Sequence, residues 1–313
     1  MSELLKSVDA RTRLAGTNKL EILLFSLGRD MLSGRNETFG INVFKVREVM
    51  RAPEITRAPD MNPSVEGMVS LRGVLVPVID LARYAGLSTE ATGRVMIITE
   101  YNGCTQGFLV EAVDTILRLD WSSMKVPPDM LTAKTGGLVT AVTELADGRL
   151  VMMMDVERVL ADTTDAGNDL AFQAIRRLDV SDRTVLYADD SSVARKQIST
   201  TLGALDVRSI EARNGRQAWD ELTRIADHAT AVGKPVTDFL QVVLTDVEMP
   251  EMDGYMLTRK IKADQRFSGI PVIMHSSLSG SSNHQLGKSV GVDEYVSKFE
   301  PQRLADTLTR LLA

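Results

Sequence analysis

The chain of 313 residues is 44% hydrophobic and 25% charged, which excludes a disordered or low-complexity polypeptide and leaves material for two cores of ordinary domain size. A formal net charge of −6, with no basic excess in either half, disfavours binding to nucleic-acid backbones, and no apolar stretch reaches the roughly 18 residues of a membrane span. The single cysteine, Cys104, excludes an internal disulfide and fits a reducing compartment, and the lack of an apolar leader after Met1 predicts a cytoplasmic protein.

Residues 1–19 predict a helical segment, with Leu4, Leu5 and Val8 at helical spacing. From 20 to 162 the pattern is strand after strand: 21–27, 39–49, 67–71 running on through 74–81, 94–100, 107–119 and 138–156. Alternation is clear from Ile41 to Val49, and Asn102-Gly103 and Asp147-Gly148 stand where hairpins turn. Residues 74–81 read as a buried strand pair with Pro77 at an edge or bulge, and only 81–84 and 156–160 suggest brief helices. Antiparallel strands at this spacing close into barrels or pack as sandwiches. Residues 163–182 read as a linker with a helical pattern at 170–175. From 183 to 313 four short apolar runs, at 185–188, 242–245, 271–275 and 295–297, alternate with helix-length polar stretches, as in a parallel α/β sheet.

Each of those runs ends in a residue suited to phosphoryl chemistry: Asp189-Asp190, Asp246, Ser276 and Lys298. In a parallel sheet such ends gather at one edge, where ligands bind. A carboxylate that attacks a phosphoryl donor needs the charge on the phosphoryl oxygens neutralised by a metal ion and fixed donors. Mg²⁺ takes oxygen ligands, only a few of them from protein. Three acids, a hydroxyl and a lysine meet that requirement.

The stretches 187–191, 244–254 and 295–298 resemble response-regulator receiver motifs. The resemblance covers about 183–313 and implies a flavodoxin-like, CheY-like α/β fold with a five-stranded parallel sheet. It further implies that Asp246 is the phosphoacceptor, that Asp189, Asp190 and Asp246 hold Mg²⁺, that Ser276 senses the phosphoryl group and that Lys298 pairs with it. Tyr295 matches the aromatic that swings on activation. Three departures stand out: Phe299 replaces the usual proline after the lysine, Ser277 replaces a small alanine, and Glu248 lies where attacking water would approach. A phosphatase of the haloacid-dehalogenase type is the nearest competing carboxylate chemistry. It would want an aspartate where this chain has Glu248.

Residues 20–162 contain no histidine, no metal-ligand spacing and no phosphate loop, so they read as a binding module rather than a catalyst. The stretches 39–49, 67–81 and 148–160 are similar to CheW, the chemotaxis coupling protein. That resemblance implies an all-β pair of SH3-like barrels that bridges methyl-accepting chemoreceptors to the histidine kinase CheA, with Arg72 as a partner contact. A CheW-like module followed by a receiver is the architecture of the CheV family. It implies an adaptor tuned by phosphorylation of Asp246, through adaptation or as a phosphate sink, that is no enzyme beyond self-catalysed phosphotransfer and dephosphorylation. Such an adaptor would cluster with receptor arrays and meet the membrane only through them. A passive scaffold and a phosphoryl shuttle with another partner stay open as alternatives.

Overall fold

The computed structural model describes residues 19–57, 59, 61–89, 95–101, 104–128, 137–163, 175, 182–277, 287–298 and 300–313. The expected N-terminal helix, most of the linker with its helical pattern, the Asn102-Gly103 turn and Phe299 lie outside the described residues. The chain divides into two compact units, the first spanning Leu20–Asp165.

The first unit contains β1 (Lys19–Ser26), β2 (Thr38–Asn42), β3 (Val46–Arg51), β4 (Val65–Leu71), β5 (Val74–Asp80), α1 (Leu81–Tyr84), β6 (Val95–Tyr101), β7 (Cys104–Val110), β8 (Ala112–Asp120), β9 (Val139–Glu144), β10 (Leu150–Met154) and α2 (Val156–Thr163). These strands form two five-stranded sheets, ordered β8-β1-β2-β10-β9 and β3-β6-β7-β5-β4. Each sheet curls until its edges meet. Thr56, just past β3, exchanges two backbone hydrogen bonds with Met68 of β4, and Lys125, just past β8, does the same with Val142 of β9. The first closure needs Gly67, because a Cβ there would run into the Thr56 carbonyl oxygen. Closure leaves few unpaired edges, which is the physical advantage of a small barrel.

Two of the expected strands are each cut in two. Residues 39–49 break at a 3-10 turn, Val43–Lys45, where the Asn42 side chain accepts the Phe44 N–H; residues 107–119 break at Glu111. At both breaks the chain passes from one sheet to the other, so the second sheet is an insertion within the first. Burial follows the period of two. Leu20, Ile22 and Leu24 face the core of the first sheet, Val76, Val78, Met96, Ile98 and Leu109 that of the second. Leu23, Phe25, Ile79, Ile97, Phe108 and Val110, on the opposite faces, pack in a third core shared by the two sheets. The expectation of a buried 74–81 pair holds only in part, because Val74 and Leu75 are 57% and 68% exposed at the hairpin end. Pro77 comes just before β5 begins to pair with β7 at Val78, so its missing N–H costs no ladder bond there.

Lys45, in the 3-10 turn, lies 3.0 Å from Glu157 of α2, with side chains 16% and 1% exposed. Removing one partner of a buried pair strands the other charge. Glu157→Ala is therefore expected to destabilise this unit by about 3–5 kcal/mol. Urea unfolding checks this; an unchanged midpoint and slope would contradict it.

The second unit contains β11 (Thr184–Ala188), α3 (Ser192–Ala204), β12 (Arg208–Ala212), α4 (Gly215–Val232), β13 (Val242–Thr245), α5 (Gly254–Ala263), β14 (Val272–Ser276), β15 (Glu294–Ser297) and α6 (Pro301–Leu312). Its sheet is ordered β12-β11-β13-β14-β15, and every pairing is parallel. Both faces are covered: Leu186, Val243 and Val272 pack with Leu222 of α4 and Leu257 of α5, while Val185, Leu244 and Ile273 pack with Ile198 of α3 and Leu308 of α6. Two-sided burial is why these strands read as unbroken apolar runs. The helices start on side chains that accept backbone N–H groups: Ser191 from Ala194, Asn214 from Gln217 and Asp253 from Met256. Gly233, with φ 67°, ends α4 in the left-handed region.

Candidate phosphoacceptor site

Strand pairing alone brings the candidate residues together. The ladders continue one residue past the strands: Asp189 N–H donates to Ala212 O, Asp246 N–H to Ala188 O and Lys298 N–H to Ser276 O. Asp189, Asp190 and Asp246 each place a carboxylate oxygen within 4.8 Å of the others. Asp189 is fully buried, Asp246, Ser276 and Lys298 are nearly so, and Asp190 is partly exposed. Lys298 Nζ lies 2.9 Å from Asp189 Oδ2 and 3.1 Å from Asp246 Oδ2. The remaining oxygens are also oriented. Asp189 Oδ1 accepts the Ser191 N–H at 2.9 Å, and Asp246 Oδ1 accepts the Val247 N–H at 2.7 Å.

Gly254 permits this geometry, since a Cβ there would overlap the Asp246 carbonyl oxygen. Next to it, the buried Asp253 caps α5; burial pushes its carboxyl up to about 6, against the downward pull of the Met256 N–H. Glu248 is also buried, adding a further acidic group to the loop after Asp246.

Three carboxylates and one ammonium leave the centre with a surplus of negative charge in a place where water screens poorly. Such a surplus is costly unless a cation offsets it. Clustered carboxylate oxygens are hard ligands, so the residues fit Mg²⁺, with Asp189, Asp190 and Asp246 as holders.

Ser276 and Tyr295 meet at the edge of this cluster. Burial pushes the Tyr295 phenol up to about 12, opposed by its hydrogen bond with the Ser276 side chain. The Tyr295 ring packs with Val247, Tyr255 and Met274. All the receiver residues picked from the sequence thus converge, whereas Arg72 belongs to the other unit, at the β4–β5 turn. Sequence reading missed Arg195, whose guanidinium reaches the backbone of the acid pair. Its only signal was a cation in the first turn of a helix that follows two aspartates.

Comparison with known proteins agrees with both halves of this description. The family model for the CheW-like domain matches residues 21–164, and that for the response regulator receiver domain matches residues 185–309. Chemotaxis protein CheV3 of Helicobacter pylori is 30% identical over 283 residues, covering 88% of this chain and 88% of that protein. Chemotaxis protein CheV1 of the same organism is 27% identical over 334 residues, covering 100% and 99%. Helicobacter pylori CheY1 is 36% identical over 130 residues, 41% of this chain and 95% of its own length. A CheW-like double barrel, a receiver with its acid cluster and a relative similar through both place the chain in the CheV family of chemotaxis proteins.

Proposed function

We propose that this protein couples methyl-accepting chemoreceptors to the histidine kinase CheA, and that phosphorylation of Asp246 modulates the coupling. The observation that carries the reading is the Asp189, Asp190, Asp246 and Lys298 cluster in one chain with a CheW-like domain. In the transfer, an Asp246 carboxylate oxygen attacks the phosphorus of a phosphohistidine; the P–O bond forms as the P–N bond breaks, and the imidazole nitrogen takes up a proton from water. Bound Mg²⁺ would supply electrostatic neutralisation of the phosphoryl oxygens. Lys298, placed by its two carboxylate contacts, is available to pair with the incoming phosphoryl group. A phosphoryl group that draws the Ser276 hydroxyl inward would alter its bond with Tyr295, and the ring is the part of the site that can report outward.

The docking surface we assign to the first unit is the β4–β5 turn. Arg72 takes φ 51° and Gly73 φ 83°, the two positive values that a two-residue hairpin turn needs. Arginine is a poor choice there, because its Cβ resists the left-handed region. It donates to Glu48 Oε2 at 2.9 Å while remaining 73% exposed, beside the bare Val74 and Leu75. A strained exposed cation next to apolar side chains suits a partner contact.

Co-sedimentation with receptor arrays and CheA tests the whole reading. Wild type and Asp246→Ala are expected to co-sediment alike but to give different kinase activity under phosphorylating conditions. Arg72→Asn, whose side chain tolerates positive φ, is expected to fold normally and co-sediment less. Equal kinase activity in wild type and Asp246→Ala would leave a passive scaffold, and failure of wild type to co-sediment would remove the coupling role.

A further inference from the structure

We propose that Arg195 is the positioning residue that presents the Asp189–Asp190 pair for metal capture, an inference that rests on reading this site as a phosphoacceptor centre. Arg195 lies in the first turn of α3, six residues beyond Asp189. Its Nη1 donates to the main-chain oxygens of both Asp189 and Asp190, at 2.9 Å each. Its Nε donates to Glu211 Oε1 of β12 at 3.0 Å, and Glu211 Oε2 accepts the hydroxyl of Tyr187, from β11, at 2.8 Å. The Arg195 side chain is only 14% exposed. One planar group therefore ties the loop after β11 to the neighbouring strand.

The consequence falls on the carboxylates. Asp189 is also held through Oδ1 by the Ser191 N–H and through Oδ2 by Lys298, whereas Asp190 is the partly exposed member of the trio. The backbone of Asp190 is one determinant of where its carboxylate points, and Arg195 grips that backbone. Groups that orient metal ligands in this way typically change metal affinity about 10–100-fold when removed.

Charge and geometry make opposite predictions, which allows a clean test. A guanidinium near three carboxylates weakens cation binding by repulsion, so if charge were its only effect, Arg195→Ala would bind Mg²⁺ more tightly and Arg195→Lys would match wild type. Lysine keeps the charge but cannot serve two carbonyls and Glu211 from one plane. If Arg195 positions the pair, both variants bind Mg²⁺ about 10-fold or more weakly. Titration calorimetry of the full chain with Mg²⁺ alone reads this directly. In labelling with acetyl phosphate, Arg195→Lys is expected to need correspondingly more Mg²⁺ for half-maximal rate and to regain the wild-type rate at saturation, a rescue that general structural damage would not give. Wild-type affinity in Arg195→Lys, or a deficit that saturating Mg²⁺ does not repair, would overturn the inference while leaving the site reading intact. A wild-type chain that binds no Mg²⁺ would overturn the site reading itself, and the inference with it.

Discussion

Replacing Asp246 by Asn is expected to abolish the hydroxylamine-sensitive label that acetyl phosphate and Mg²⁺ give the wild-type chain, and to leave the receiver unit as stable as before or more so. The loss is complete because no other described carboxylate combines its features. Asp246 is buried at the end of a central strand, fixed at Oδ1 by the Val247 N–H and 3.1 Å from Lys298 at Oδ2. Asp189 shares Lys298 but is fully buried, and Asp190 is the partly exposed member of the trio. Competing Coulomb interactions set the stability of the variant. At 4.8 Å, each like-charge pair opposes folding by roughly 3 kcal/mol at an effective dielectric near 20. The lysine contact at about 3 Å contributes roughly 5 kcal/mol in the other direction. Asparagine removes two repulsions and one attraction, so the balance is near zero or slightly stabilising. Thermal unfolding should show a midpoint unchanged or raised by a few degrees. Retained labelling in the Asn variant would remove Asp246 as phosphoacceptor. A large fall in the midpoint would show that the carboxylate repulsion had been overstated.

Much of this site was legible because a parallel sheet turns sequence order into spatial convergence. Val185–Ala188 and Val242–Thr245 are fully apolar or nearly so, and each is followed at once by an acid; either run alone would be a weak signal, and the ordered set of strand ends carries the reading. The barrels were less legible. Residues 39–49 alternate so evenly that they read as one strand, yet Asn42 caps a 3-10 turn that carries the chain into the other sheet. The phase shifts at the break, because Val43 and Val46, three residues apart, both face the shared core, and the run stays apolar enough to hide that shift. Periodicity reports which face is buried, not which sheet the face belongs to. The exposed Val74 and Leu75 were misread for the complementary reason, since apolar residues in a strand are read as buried whether they pack against their own sheet or await a partner. Arg195 was missed because its partners are main-chain oxygens and a glutamate about sixteen residues away, and neither leaves a mark in local spacing.

Lys298→Met is expected to have the largest effect on stability of any single change at the site, a loss of about 3–5 kcal/mol in the receiver unit. Lys298 is 2% exposed and stands between two buried carboxylates, at 2.9 and 3.1 Å. Methionine fills much of the same volume, so packing is nearly conserved and the change isolates charge. What remains is a set of carboxylates whose mutual repulsion no longer has the ammonium between them. For a unit of this size the loss corresponds to a drop in the midpoint on the order of 10–20 °C. The same charge imbalance sets the response to metal. A ligand that binds only the folded state stabilises it by RT ln(1 + L/Kd), L being its free concentration, so a tighter site gains more at the same concentration. A more negative site attracts a dication more strongly, so millimolar Mg²⁺ should recover more stability in Lys298→Met than it adds to wild type. Phosphoryl transfer should stay impaired after that recovery, because Mg²⁺ can offset the carboxylates but cannot stand where the ammonium meets the phosphoryl oxygens. Calorimetric scans with and without Mg²⁺, paired with acetyl phosphate labelling, separate the two roles. If labelling returned in step with stability, Lys298 would be a counter-charge for the carboxylates and nothing more.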